Sequence, residues 1–315
     1  MDSKINFELK NRPNSGRLVI SIDFEMRWGV HDLYGLNIDG YRKNLENSRP
    51  AVIKILKMFE ERKLRSTWAT VGALACKDWN EYFNFNPPIP SYKNKNLKVL
   101  ESYSDIDPNG ELHFAPDLVK KITETNGQDL GSHTFSHLYY LEKGITKNDF
   151  IQDGLLVKNI FEKKFKVTPS SFVFPRNQIN FLEYLKNVNL LNFRSNPNFY
   201  SNNYYMNKII NLYSIISPKI FGPFENKLNC STGNLFVRFN LNKFYWNLQL
   251  SKISNKLKNL KSNEILHIWW HPHNIGPNFK FGLDRFEQLF DLLSKKINDK
   301  KLNSIHMRDL IHSKF

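Results

Sequence analysis

Cysteine is scarce in this chain: two residues in 315, Cys76 and Cys230, far apart and in no metal-finger spacing. That excludes a disulfide-stapled or zinc-finger scaffold and agrees with a reducing compartment. Long apolar runs are missing too. No stretch reaches the ~18–20 residues that a bilayer crossing needs, so no transmembrane segment is expected. The first residues, MDSKINFELKNRPNSGR, hold no apolar secretion core. The expected address is therefore cytoplasmic, with peripheral contact at the inner membrane face as a variant of it. Acid is in short supply, with 30 Asp and Glu against 45 Lys and Arg, a formal charge of +15. Such a charge suits nucleic acid, an acidic membrane face or phosphorylated ligands. The lysines, however, are spread along the chain and mixed with asparagine at roughly one residue in eight. The densest cluster, KISNKLKNLK (Lys252–Lys261), spaces its apolar residues along one face, as a solvated helix does. Charge alone selects no nucleic-acid partner.

What is present is an alternation of short apolar runs with amphipathic stretches. LVISIDF (Leu18–Phe24) predicts a buried strand, and a helix follows over about Pro50 to Arg62. STWATVG (Ser66–Gly72) predicts the next strand. Clustered Asn, Pro and Tyr over about 76–112 mark an irregular insertion. A helix from about Pro116 leads to a short strand that runs into GSHTFSH. A helix over about Lys147 to Phe165 precedes SSFVF and its loop PRNQ. NLLNFRS is a further strand, and about 196–234 is loop-rich. A helix from about Asn242 to Leu260, the strand ILHIWW (Ile265–Trp270), a helix over about Leu283 to Ile297 and a strand near Ser304 close the chain. Repeated strand–helix units imply a parallel α/β sheet, open or barrel-shaped. No linker interrupts them, so one domain over 17–311 after an N-terminal extension (1–16) is expected.

The chemically rich residues fall where strands end: Asp23 and Glu25, His133 and His137, Arg176, His271 and His273. In a parallel barrel those ends share one rim. A His-x-x-x-His pair alone is weak evidence, because capping and core histidines produce it too. On a helix or tight turn, however, both rings reach one ion. Asp23 and Glu25 straddle Phe24 at the end of an apolar run, where carboxylates are costly unless paired or metal-bound. In an extended segment both point to one face, so one can ligate while the other serves as a base. Arg176 follows an apolar strand and is expected to pair with Asp23, against the plainer reading of a rim arginine. In WWHPHN one histidine can donate a proton beside an aromatic wall.

In this order, SIDFEMRWG, STWATVGAL, GSHTFSH, FPRNQ and WWHPHN resemble the polysaccharide deacetylase superfamily, carbohydrate esterase family four. The resemblance spans roughly Arg17 to Ile311, and the WGV and HPHN features look like a bacterial branch of surface-polysaccharide synthesis. It implies a distorted (β/α) barrel of about seven parallel strands with insertions over the rim. By position, Asp23 matches the family's catalytic base, and Glu25, His133 and His137 its metal ligands. Arg176 matches the arginine that orients the base, and His271 the general acid, with His273 as the alternative. Asn177 stands where a backbone amide helps bind the oxyanion. The acid that tunes the proton donor has no counterpart in FRSNPNFY.

The reading that follows is hydrolysis of an N-acetyl or N-formyl group from an amino sugar in surface-polysaccharide or lipopolysaccharide biosynthesis. The sugar would be nucleotide- or lipid-linked. Zinc suits the nitrogen-rich donor set best, with iron, nickel, cobalt and manganese as further candidates. Arg27 is a candidate for a phosphate, and Trp28, Trp270 and His273 for the sugar. Two readings compete: a cyclic amide or imide hydrolase of the allantoinase-like branch, which the Asp-x-Glu spacing permits, and a catalytically inactive glycan-binding protein. Nothing in the sequence sets an oligomeric state.

Overall fold

In LVISIDF alternation puts Leu18, Ile20, Ile22 and Phe24 on one face and Val19, Ser21 and Asp23 on the other, and in the structure it is a strand buried on both sides. The computed structural model describes residues 15–34, 37–94, 96–97, 102–195, 230–233, 235–262, 264–300 and 302–311. Nearly all of the N-terminal extension 1–16 and of the loop-rich stretch 196–234 lies outside the described residues. The strands are β1 (Arg17–Phe24), β2 (Ser66–Thr70), β3 (Gln128–Ser132), β4 (Ser171–Phe172), β5 (Asn192–Ser195), β6 (Cys230–Thr232), β7 (Leu235–Phe236), β8 (Ile265–Trp270) and β9 (Asn303–Ile305). They form one sheet in the order β6-β5-β4-β3-β2-β1-β8-β7, with β9 pairing to β1. All the pairings are parallel.

The two edges of this sheet, β6 and β7, are consecutive stretches of chain. One broken strand therefore pairs first with β5 and then with β8, and the sheet curls into a distorted α/β barrel. Gly233 marks the break. Its N–H donates to the Ser195 carbonyl at 3.0 Å. A Cβ there would lie 2.9 Å from Arg194 Cδ and 3.1 Å from the Trp269 indole nitrogen. The expected count of about seven strands, which includes the one near Ser304, leaves out the broken strand β6–β7, which carries no long apolar run.

The layer outside the barrel is built from α1 (Arg42–Glu61), α2 (Pro116–Glu124), α3 (Lys147–Phe165), α4 (Lys243–Lys258) and α5 (Phe279–Lys300). Leu18, Ile20, Ile22 and Phe24 of β1 point into this layer and join its main apolar core. No described helix is long and apolar enough to cross a membrane. Helix α1 begins well before the expected start at Pro50, which lies inside it. The early turns bury Leu45, Asn47 and Ser48, and Asn47 Nδ2 donates to the carbonyls of Gly276 (2.9 Å) and Pro277 (3.0 Å). Tertiary contacts here outweigh the proline's missing donor. The described part of 76–112 is not purely irregular. It holds two short helices, Trp79–Asn84 and Tyr103–Ile106, whose aromatics pack on Trp28.

Alternation along the strands turns the other residues into the barrel. At its base Val19, Ala69, Val173, Ile305, Met307 and Leu310 form an apolar plug. Above the plug come Ser21, His267, Ser231 and Arg194, all buried. His267 bridges two hydroxyls, Ser231 Oγ at Nδ1 and Ser21 Oγ at Nε2, both at 2.8 Å. Burial, reinforced by the charge of Arg194, pushes its pKa down to about 3, so it is a neutral strut. The histidine loop after β3 rests on Asp153 of α3. This buried carboxyl accepts from the amides of Phe135 (2.7 Å) and Ser136 (3.3 Å).

Burial raises the Asp153 pKa to about 7, above its value in an unfolded chain. Between about pH 4 and 7 the folded state keeps a proton that the unfolded state has lost, so stability falls as pH rises through that window. Denaturant unfolding of wild type and Asp153→Asn at pH 5 and pH 8 should show the wild type losing a few kcal/mol relative to the variant at the higher pH. An unchanged difference would contradict this assignment.

Candidate active site

The carboxyl ends of the strands bring together residues far apart in sequence. Asp23 ends β1 facing inward, while Phe24 turns outward and packs edge-on against Trp68. Glu25 follows in a non-strand conformation and folds back over the turn Met26–Gly29. Only a glycine at position 29 allows this, since a Cβ there would lie 1.9–2.0 Å from the Glu25 carboxyl group. Both acids are nearly sealed from solvent, Asp23 at 2% and Glu25 at 3% exposure.

The other expected site residues converge on Glu25. Its Oε2 lies 3.1 Å from His133 Nε2 and 3.1 Å from His137 Nε2. Its Oε1 lies 3.4 Å from His271 Nε2 and 3.9 Å from His273 Nε2. Burial works to raise the Glu25 pKa, but His271, His133 and His137 hold it well below the usual carboxylate range. The His133 ring is fixed by a bond from Nδ1 to the Val173 carbonyl at 2.7 Å. Because that carbonyl can only accept, Nδ1 carries a proton, and Nε2 is the nitrogen that faces a carboxylate oxygen of Glu25. Two lone pairs at that distance repel unless a cation or a second proton lies between them.

A tetrahedral ion with bonds of ~2.0–2.1 Å spaces its ligand atoms ~3.3 Å apart, close to the separations seen here. Glu25, His133 and His137 offer one ligand atom each within 4.8 Å of one another, all buried. The residues present fit a divalent ion. They are also few enough to leave positions open on it, as catalytic rather than structural sites do.

Asp23 is held differently from the sequence expectation. Both of its oxygens accept from Arg194, Oδ1 from Nη1 and Oδ2 from Nη2, each at 2.7 Å. Arg194 also donates to Ser21 Oγ at 3.0 Å and to Asn177 Oδ1 at 3.2 Å, and lies 4.0 Å above the Trp269 ring. Arg176 instead sits exposed at the rim, in a left-handed turn (φ 53°), and pairs with Asp32 and the Gly29 carbonyl. The inward-facing arginine of the neighbouring strand saturates the carboxylate first. Burial, the largest influence on Asp23, raises its pKa. The charge and hydrogen bonds of Arg194, with His133 and His271, more than offset that and bring it below the ordinary value.

Four further expectations change. The Asn177 amide donates to the Phe174 carbonyl at 2.9 Å, so in this conformation it has no N–H to give an oxyanion. Arg27 is 1% exposed and lies over the Tyr103 ring, out of reach of a phosphate. Trp28 is buried among Trp79, Tyr82 and Tyr103, and Trp270 among Phe59, Phe286 and Phe290. Neither indole can stack on a sugar. The aromatic wall beside His271 is Trp269 with Phe236, at ring separations of 5.7 and 5.6 Å. Period-two alternation from His271 back through Trp269 and His267 is the signal that identifies it.

His271 keeps some access to solvent, whereas His273 is 4% exposed and burial pushes its pKa down to about 3. The missing tuning acid has a neutral substitute. Asn274 Oδ1 takes the His271 backbone N–H at 3.0 Å and lies 3.1 Å from its Nδ1.

A parallel α/β barrel with an acid–histidine centre at the carboxyl ends of its strands defines the class. A family model described as polysaccharide deacetylase matches residues 39–193. Residues 39–193 thus form a domain of the polysaccharide deacetylase family. The matched stretch includes His133, His137 and Arg176, while Asp23, Glu25 and His271 lie outside it. Similar solved structures include a putative polysaccharide deacetylase from Mycobacterium smegmatis, at 10% identity and TM-score 0.49, covering 92% of this chain and 93% of that one. A family 4 carbohydrate esterase from Streptomyces lividans in complex with acetate has 10% identity and TM-score 0.42, covering 92% and 91%. A CE4 family pseudoenzyme from Bacillus anthracis has 10% identity and TM-score 0.44, covering 95% and 66%. Among curated proteins, a processive diacylglycerol beta-glycosyltransferase of Mycoplasma pneumoniae is 28% identical over 151 residues, 36% of this chain. The chain spans 42% of that relative's length.

If Arg194 sets the ionisation of Asp23, Arg194→Lys should leave bound metal unchanged and lower kcat/KM by about tenfold or more, because a lysine cannot make the bidentate pair. With burial less opposed, the Asp23 pKa rises, so the acid limb of the kcat/KM profile should move to higher pH. An unshifted limb would show that Arg194 does not act through Asp23.

Proposed function

We propose that the chain is a metal-dependent carbohydrate N-deacylase that removes an acetyl or formyl group from an amino sugar. The observation that carries the reading is the single carboxylate oxygen of Glu25 standing 3.1 Å from two imidazole nitrogens, beside a second carboxylate already neutralised by an arginine. Glu25, His133 and His137 would hold the ion, with zinc favoured by the two nitrogen donors. A divalent ion there supplies a Lewis acid for the acyl carbonyl and makes water a better nucleophile near neutral pH.

The rest of the chemistry belongs to the side chains. Asp23, kept ionised and oriented by Arg194, takes the proton of the attacking water. His271 gives a proton from Nε2 to the departing amine as the C–N bond breaks, with Asn274 setting the ring's orientation. The placement of His271 Nε2, 3.7 Å from Asp23 Oδ2, supports a proton donor and acceptor on the same reacting group. Trp269 and Phe236 form the apolar side of the pocket. With Arg27 buried, no phosphate contact is assigned to it. A nucleotide- or lipid-linked sugar of surface-polysaccharide synthesis, met in the cytoplasm or at the inner membrane face, remains the substrate proposed from the sequence.

The test is a screen of metal-loaded protein against UDP-linked and lipid-linked N-acetyl and N-formyl amino sugars, with hydantoin- and allantoin-like rings alongside. Acetate or formate release is expected from an acylated sugar. It should fall by about 10²–10⁴-fold in Asp23→Asn and vanish, together with bound metal, in His133→Ala. Unchanged turnover after thorough chelation, or hydrolysis of the cyclic amides alone, would reject the reading.

A further inference from the structure

Glu25 has two carboxylate oxygens, and the proposed ion uses only one of them. The other, Oε1, faces His271 Nε2 at 3.4 Å and His273 Nε2 at 3.9 Å. These three residues offer ligand atoms within 4.8 Å of one another, just as Glu25, His133 and His137 do. The two rings stand nearly parallel, 13° apart with centroids at 4.9 Å, and both present Nε2 to Glu25 Oε1.

That arrangement is built rather than incidental. Pro272 separates the two histidines and opens the turn Pro272–Ile275. Asn274 binds the His271 backbone and Nδ1, leaving Nε2 as the ring's outward nitrogen. Asn44 Nδ2 donates to the His273 carbonyl at 3.4 Å, and Asn47 holds the carbonyls of Gly276 and Pro277. Gly282 of α5 packs against the turn so closely that a Cβ there would sit 2.1 Å from the Ile275 carbonyl oxygen. The turn that carries both histidines is therefore tied to α1 and α5 through its backbone.

We propose that Glu25 bridges two cation sites, and that a second divalent ion, held by Glu25 Oε1, His271 Nε2 and His273 Nε2, switches the enzyme off. The inference rests on the hydrolase reading, because it is His271 Nε2 that must carry the proton to the leaving amine. A nitrogen whose lone pair is bound to an ion cannot carry that proton. The second site fills after the first. Its carboxylate is already shared, and the first ion's charge opposes a second one nearby. The outcome is activation by the divalent ion at low concentration and inhibition at high concentration, built into one loop. Asp23 is already paired with Arg194, so Glu25 supplies the one uncompensated negative charge against the two ions, and double occupancy comes only at a cost in affinity.

Titration of the metal-free protein with zinc alone, followed by calorimetry and by metal analysis after equilibrium dialysis, reads this directly. Two ions per chain are expected, the second weaker by about 100-fold or more. Turnover should rise with the first and fall with the second. His273→Ala and His273→Gln should each lose the second binding event while keeping the first. A single ion at saturating zinc, or a second ion indifferent to both His273 variants, overturns the bridging site and leaves the hydrolase reading standing. A weak, His273-dependent ion without a tight one that depends on His133 overturns the hydrolase reading instead, and with it the inhibitory role.

Discussion

A carboxylate taken out of water at the end of an apolar strand is among the costliest groups a fold can carry, and Glu25 is such a group. Its burial is tolerable only because four imidazoles gather around it, two on each oxygen. Those histidines come from the loops after β3 and β8, and the strands bring them within reach by being parallel, adjacent to β1 or nearly so, and of matched register. The glycine at 29, the Asp153 support beneath the β3 loop and the asparagines behind the β8 loop all keep this one charge compensated. Remove the charge and the loops lose their shared partner.

The interior of the barrel extends the same logic downward. An apolar plug closes its base, and a hydrogen-bonded column, Ser231–His267–Ser21–Arg194–Asp23, rises from it to the site. Every member has a fixed partner, so the guanidinium reaches Asp23 already oriented and largely desolvated. A bidentate pair in such surroundings is stronger and more directional than the same pair at the rim, where Arg176 meets Asp32. The same column explains why the Asp23 carboxyl is held below its ordinary range although burial acts against it.

Much of this was legible in the chain. The strand ends carry the acids and histidines, and the spacing of Asp23 and Glu25 about Phe24 already puts both on one face. What escaped depends on which way a side chain turns. Arg176 and Arg194 follow or end neighbouring strands, and only the inward phase of β5 distinguishes the one that reaches Asp23. Trp269 and Trp270 are adjacent, and the strand's alternation gives the pocket the first and the outer core the second. At Glu25 the chain leaves the extended form for a tight turn, so alternation no longer applies beyond it, and Arg27 and Trp28 fall into the protein instead of onto the rim. The Asn177 amide was lost to a local turn that the motif alone does not reveal.

The central claim is that the negative charge of Glu25, and not merely its shape, organises the site. Glu25→Gln keeps the shape and removes the charge, so the decisive measurement is its metal dissociation constant beside that of the wild type. Since losing even an outer partner of a ligand costs about 10–100-fold in metal affinity, losing the charge of the proposed ligand Glu25 should weaken binding by more than 100-fold in a chain that still folds. Wild-type affinity in a folded Glu25→Gln protein would contradict the account.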